Sequence, residues 1–520
     1  MTSKSALTPP LRDDGQDASL SLVCVWSIAL LVAIPWFWPF PMGPIREFWS
    51  DWLAWSSFWL VLGLFPLWGA RQRRVLAMGW LLAASGNALI ALVQFFDLEN
   101  GLSPWIARAL PGHPLGQLFQ PNLLATLLVV GGWALAWLMR AGHVSVRLGS
   151  AVAVLLIAAL ASTASRSGAV LFLASMLMLV WWGRETPRRT WSAVGAAVLI
   201  YVASAFLLPY IGRELLGLPI ERDLFGRFTS GIAGDGCSSR LILWSNMVEL
   251  ISVRPWQGWG PGALLHAHYS FPFEGARFCQ KLSNAHNILL QSAFVFGIPL
   301  TGIFVGLMVG LMAKTKPWAV RVPEAQLGAS IGVVLAIHSM LEYPMWYGNF
   351  QVVGLWAAYL FYRGGEGRLL TDFFGARAHR VRGVSVLVAI PLLGFVAWQY
   401  VKVSQPYLAP ADRMEAYRDS PVEKAQDLVL FRDHLLIGQM VQTELTSATA
   451  PIVYRAAVEA MKVSPDPQVI IRLIESAALL GMVAEVQQQM KLFERAWPVE
   501  YAAWLERQRK AQRSAAAAAE

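Results

Sequence analysis

The chain has 520 residues, of which 56% are hydrophobic and 14% charged, with 24 tryptophans. That is too apolar for an ordinary soluble protein and fits an all-α polytopic membrane protein. The formal net charge of +9 does not point to nucleic acid, because no basic run is interleaved with stacking aromatics and the excess lies in short loops.

Residues 1–19 are polar, hold Pro9, Pro10, Asp13 and Asp14, and lack the basic start and cleavage site of a signal peptide. They read as a disordered cytoplasmic leader. Apolar runs of about 18 residues or more then recur, each long enough to cross a hydrocarbon core of about 30 Å as a helix. They fall near 20–40, 51–70, 75–95, 119–139, 146–163, 168–182, 191–211, 286–312, 325–340, 346–361 and 384–401. This predicts a membrane domain over 20–401 with about 11 transmembrane helices.

Every second loop is basic. Arg71, Arg73 and Arg74 follow the second span, Arg140 and Arg147 the fourth, and Arg184, Arg188 and Arg189 the sixth. Lys314, Lys316 and Arg321 follow the eighth, and Arg363, Arg368, Arg377, Arg380 and Arg382 the tenth. Lysine and arginine accumulate on the cytoplasmic side, so the N-terminus is expected inside and the C-terminus outside. The loop 97–118, the turn 165–167, the large segment 212–285, the turn 342–347 and the tail from Lys402 then share the outer, periplasmic face.

Within the large segment, 238–253 has an amphipathic pattern: Leu241, Leu243, Trp244, Met247 and Leu250 are apolar, Arg240 and Glu249 polar. It ends at Arg254-Pro255, before Trp256, Trp259 and the turn Gly258-Trp259-Gly260-Pro261-Gly262, and is expected to lie along the membrane surface. Cys237 and Cys279 belong to the same segment, and an oxidising compartment would permit a disulfide between them. The tail, 402–520, reads as a periplasmic helical domain. Ser420-Pro421-Val422-Glu423 forms a capping box, Asp466-Pro467 opens a helix that stops near Gly481, and 451–463, 467–480 and 482–496 resemble helix-turn-helix repeats.

Charges at the lips of membrane spans are costly and mark function. Arg166, Arg240, His286, His338 and Glu342 all fall on the outer face. A transporter would more typically bury its charges at the midplane within broken helices of two related halves, and neither feature is evident. Two arginines and a histidine suit a sugar carried on a lipid pyrophosphate. The guanidinium groups would hold the phosphate oxygens and the charge that grows on them, and His286 would accept the proton of an incoming hydroxyl. No cofactor or metal is required: no Cys/His cluster has zinc spacing and no Asp-x-Asp pair is present.

Structural roles compete with each assignment. Arg166 could reach lipid headgroups, Arg240 could pair with Glu249, and His338 and Glu342, four apart, could satisfy each other between helices. Arg108 and His113 precede Gly116-Gln117-Leu118-Phe119-Gln120-Pro121-Asn122, a segment open to two readings: part of the same cavity, or a polar helix entry with proline in its first turn.

The segment Gly116–Asn122, then Ser165-Arg166, Ser239-Arg240 with Trp244, Pro255-Trp256-Gln257-Gly258-Trp259-Gly260, Ala285-His286-Asn287 and His338-Ser339-Met340-Leu341-Glu342-Tyr343-Pro344, in that order, resembles the bacterial O-oligosaccharyltransferases, or pilin glycosylation ligases. These share a superfamily with O-antigen ligases and O-antigen polymerases. The resemblance covers about 116–361 and, more loosely, the tail. It implies a GT-C-like, metal-independent, inverting glycosyltransferase of the bacterial inner membrane with a periplasmic site. The donor would be an undecaprenyl-pyrophosphate-linked oligosaccharide and the acceptor a pilin or other exported protein. His286 would be essential and Arg166 and Arg240 would engage the donor, with Asn287, Gln120, Asn122, His338, Glu342, Arg108 and His113 as substrate-binding candidates. An O-antigen ligase acting on lipid A-core and an O-antigen polymerase are the near rivals; a lipid-linked-sugar transporter is a distant one.

Overall fold

The computed structural model describes residues 22–64, 72–221, 224, 226, 236–364 and 368–519. The leader at 1–19, the end of the expected second span at 65–70, and Arg71 lie outside them. Among the described residues all regular structure is helical, as a chain embedded in lipid requires when each backbone group must be satisfied within its own segment. In chain order the α-helices are α1 (Leu22–Ala33), α2 (Phe48–Leu64), α3 (Gln72–Phe95), α4 (Pro121–Arg140), α5 (Val146–Ser162), α6 (Arg166–Trp182), α7 (Pro187–Tyr210), α8 (Arg240–Val253) and α9 (Leu264–Ser270). They continue with α10 (Ile288–Thr315), α11 (Pro323–Leu341), α12 (Gly348–Gly364), α13 (Arg368–Ser404), α14 (Arg432–Gln442), α15 (Ala450–Val463), α16 (Pro467–Leu479), α17 (Val483–Ala496) and α18 (Pro498–Ala519).

Each of the expected apolar stretches is met by a helix. Among the described residues, seven of these helices are long and apolar enough to cross a bilayer. The other four stretches coincide with α1, of 12 residues, and α2, α5 and α12, of 17 residues each.

The chain packs as two compact units. The first takes the stretch up to Pro41, Glu47–Ile232 and Met312–Leu393. Small residues let its helices approach closely: Gly131 of α4 lies against Ala84 of α3, and Gly328 of α11 against the backbone of α12, with no room for a Cβ. Among the described residues, the ends of the helices at the basic loops after the second, fourth, sixth and eighth spans meet at one end of this unit; the side chains of Arg363, Arg368 and Arg377 lie outside the described residues. Arg73 pairs with the buried Glu324 at 2.6 Å, Arg140 donates to Gln326 at 3.0 Å, and the indoles of Trp181 and Trp182 donate to the Trp318 carbonyl. At the opposite end, Asp51 accepts the amide of Gly348 at 2.7 Å and Asn349 donates to Ser50 at 2.8 Å. Successive helices thus alternate in direction, as the alternating basic loops require.

The second unit joins Met42–Arg46, Ala233–Leu311 and Gly394–Glu520, so the later part of the large segment belongs with the tail. The His266 ring lies 2.9 Å from the Met461 carbonyl, Tyr269 donates to Gln489 at 3.0 Å, and Lys281 pairs with Asp466 at 2.8 Å. Tyr269 joins the apolar core of α15, α16 and α17. A disulfide links Cys237 to Cys279, with 5.5 Å between their Cα atoms.

Three expectations need correction here. Ser420–Glu423 opens no α-helix but a short 3-10 turn, Glu423–Ala425. The chain beyond it is drawn onto the end of α13, where Gln399 accepts the amides of Val429 and Leu430 and Lys402 pairs with Asp427. α8 buries Leu243, Met247 and Leu250 of the predicted face, but Leu241 is 75% exposed and Asn246 is fully buried in its stead. Asn246 is kept inside because its side chain bonds both the Ala276 carbonyl and the Phe278 amide. Finally, α10 is a broken helix, interrupted at Gly297, where φ is 81°.

Candidate functional site

The break in α10 explains the Pro255–Gly260 motif. Where the helix opens, its backbone groups need partners. Trp259 N–H donates to the Phe294 carbonyl at 2.7 Å, Gly260 N–H to Val295 at 3.1 Å, and Ile298 N–H to Pro255 at 2.7 Å. Gly258 and Gly297 stand face to face, each with a positive φ and each lacking room for a Cβ against the other's backbone segment. The loop is thereby pinned to the helix that follows His286.

His286 does not open that helix, contrary to expectation. α10 begins at Ile288, because the Asn287 carboxamide accepts the amides of Leu289 and Leu290 at 3.0 and 3.1 Å and so acts as the N-cap. His286 lies one residue outside, half-buried, in a left-handed conformation with φ 50°. Non-glycine residues rarely adopt that geometry, and its cost is offset by a dense local framework. Asn284 Oδ1 accepts the His286 amide at 2.8 Å, Gln291 Oε1 accepts the Ala285 amide at 2.9 Å, and the Trp244 indole donates to the Ala285 carbonyl at 3.2 Å. Trp244 ties this turn to α8, one helical turn beyond Arg240.

Arg240 and Arg166 occupy equivalent positions. Each is the first residue of its helix and each follows a serine N-cap: Ser239 accepts the Leu241 amide, and Ser165 accepts the Gly168 amide at 2.9 Å. A cation is unfavourable at a helix N-terminus, where the dipole is already positive. Placed there, it adds to that field and favours an anion. The expected turn 165–167 is shifted accordingly: the reversal lies at Ala164, φ 46°, and Arg166 is already helical.

In the first unit, α4, α6 and α11 bring a polar cluster together. Asn122 Nδ2 donates to Glu342 Oε1 at 3.0 Å, and Ser165 Oγ donates to Asn122 Oδ1 at 2.7 Å while lying 3.0 Å from Ser167 Oγ. Thr126 Oγ1 stands 2.7 Å from His338 Nδ1. Both side chains, four residues apart on α11, reach across to α4, which offers a hydroxyl to His338 and a carboxamide to Glu342. His338 is fully buried and Glu342 nearly so. Gln120 sits immediately before α4 with a buried Oε1, while Arg108 is exposed on the loop that Gln94 and Gln117 organise. His113 belongs to the same loop, its amide bonded to the Leu110 carbonyl at 2.9 Å. Asn284, Gln291, Ser165 and Thr126 were not singled out as site residues in the sequence. Ser165 alone carried a signal, as the partner of Arg166 in the Ser165-Arg166 motif.

Among the described residues no three His, Cys, Asp or Glu side chains group as a metal site.

Residues 151–305 match the family model described as O-antigen ligase, and residues 326–512 match that of the virulence factor membrane-bound polymerase, C-terminal. Among curated proteins, the chain is 24% identical over 286 residues to the "General O-oligosaccharyltransferase" of Acinetobacter baylyi, covering 54% of this chain and 49% of that protein. It is 21% identical over 328 residues to the "ComP-specific O-oligosaccharyltransferase" of the same organism, covering 60% and 57%. The match thus spans about half the length of these relatives. The chain is a polytopic membrane protein that is similar, over these residues, to the O-antigen ligases and to O-oligosaccharyltransferases.

Proposed function

We propose that this protein transfers a glycan en bloc from undecaprenyl pyrophosphate to serine or threonine hydroxyls of exported proteins such as pilins, at the periplasmic face of the inner membrane. The observation that carries the reading is the pair of Ser-Arg helix starts, Ser165-Arg166 and Ser239-Arg240, in a chain whose His286 is held in a left-handed turn. The acceptor oxygen attacks the anomeric carbon from the face opposite the pyrophosphate, so the new bond forms with inversion. The old carbon–oxygen bond breaks, its electrons pass to the pyrophosphate, and the hydroxyl proton passes to the His286 ring. Arg166 and Arg240 take up the charge on the departing pyrophosphate, a role a divalent ion fills elsewhere.

The relatives named O-oligosaccharyltransferase favour a protein acceptor. The O-antigen ligase and polymerase family matches favour a sugar acceptor, lipid A-core or a growing glycan, as the second reading. An assay with purified protein, undecaprenyl-pyrophosphate glycan and a chelator, offering pilin or lipid A-core, separates them. The expected result is a mass shift on pilin that disappears with His286→Ala. Modification of lipid A-core alone would move the assignment to the ligases, and donor binding without transfer to any acceptor would leave a transporter.

A further inference from the structure

The end of the first unit that gathers the basic loops carries a cleft of about 600 Å³ between α4, α6, α7 and α11. Arg140, from the last turn of α4, and Arg189, from the first turn of α7, line it, with Glu185 as the one acid in its wall. Trp137 lines it too: this residue is 7% exposed, and its buried indole N–H has no acceptor among the described residues. A donor withdrawn from water and left without a partner is costly, which marks a place for a ligand oxygen. Two guanidinium groups lining the same cleft favour an anionic oxygen.

The cleft does not end there. Trp133, Ala136, Leu179 and Ala193 also line a second cavity, of about 410 Å³, which runs on between α4, α5, α6 and α7. Its wall is apolar, with Leu128, Leu156, Leu160, Phe172, Met176 and Ile200. A free phosphate would use only the basic mouth, whereas a ligand with an anionic head and a hydrocarbon tail fits both chambers. The α4 helix, 20 residues long, places this mouth about 30 Å from the cluster around Asn122, at the helix's other end. The donor pyrophosphate of the reaction proposed above belongs to that other end.

We propose that this groove binds one anionic phospholipid from the leaflet on the side of the basic loops. Its phosphate is taken by Arg140, Arg189 and the Trp137 indole, and one acyl chain fills the apolar cavity. Bound in this way, the lipid bridges α4, α6 and α7 and holds together the helices that carry Asn122 and Arg166.

The test uses the full-length protein, equilibrated with bilayer discs containing equal phosphatidylglycerol and phosphatidylcholine, extracted, and weighed intact with its retained lipid. Phosphatidylglycerol should be retained about tenfold or more over phosphatidylcholine, and Arg140→Gln with Arg189→Gln should abolish the preference. Both arginines are exposed, so the fold should survive. Trp137→Phe, which removes only the N–H and a little surface, should lower retention severalfold and gives an independent reading. Equal retention of the two lipids by the wild type, an unchanged preference in both variants, or displacement of the lipid by inorganic phosphate alone would overturn the proposal.

Discussion

His286 pays for its position with backbone strain, since a left-handed histidine costs about 1 kcal/mol that glycine would not. His286→Gly is expected to leave the melting temperature in detergent unchanged or raised, while glycan transfer falls by about 10²–10⁴-fold, the usual worth of a general base. A variant that melted much earlier would instead make the residue structural. His268, on α9 outside the spans, tests packing rather than chemistry. Burial, and secondarily the charge of Arg277, push it down to about 3 from 6.5. Burial, with Arg495 next, lowers Arg277 itself to about 10. Between pH 6.5 and about 3 the unfolded chain binds a proton that folded His268 refuses. Its contribution is therefore complete above pH 6.5 and is lost as pH falls towards 3. Thermal unfolding at pH 7.5 and pH 5 should show a drop in stability for the wild type and a smaller one for His268→Gln.

At the scale of elements, the interruption of α10 and the loop pinned into it form one device. Gly297→Ala would place a Cβ against the Trp256 carbonyl at φ 81°, and is expected to cost about 3 kcal/mol, read as loss of folded protein on heating. Ser165→Ala removes a helix cap and also the donor to Asn122, so a loss of about 1–2 kcal/mol is expected. Ser165→Thr should restore most of it. Sequence made these elements legible to different degrees. The helices α15, α16 and α17 lie where proline, capping aspartate and Gly481 announced them, because start and stop signals act within a few residues. That Asn246 and not Leu241 joins the buried face of α8 did not follow from its apolar pattern, because Asn246 is held inside by Ala276 and Phe278, about thirty residues away.

For the whole molecule, the Cys237–Cys279 disulfide closes a stretch of 42 residues, and a cross-link of that span contributes about 2–4 kcal/mol by restricting the unfolded chain. Reductant, or Cys237→Ser with Cys279→Ser, should lower the melting temperature of the second unit and leave helix content intact. A membrane-impermeant maleimide should label a cysteine introduced at Ser283 from outside intact cells and one introduced at Arg188 only after lysis; the reverse pattern would invert the topology.

What the sequence determined by itself is the helical membrane architecture and the alternation of its basic loops. Both are local, since a segment in lipid must satisfy its own backbone and each loop carries its own charges. Only the tertiary structure decided that Asn287 rather than His286 caps α10, that Asn122 joins Ser165 to Glu342, and that the later part of the large segment packs with the tail. Those outcomes depend on which distant side chains meet, and packing chooses the partners from many that composition alone leaves equal.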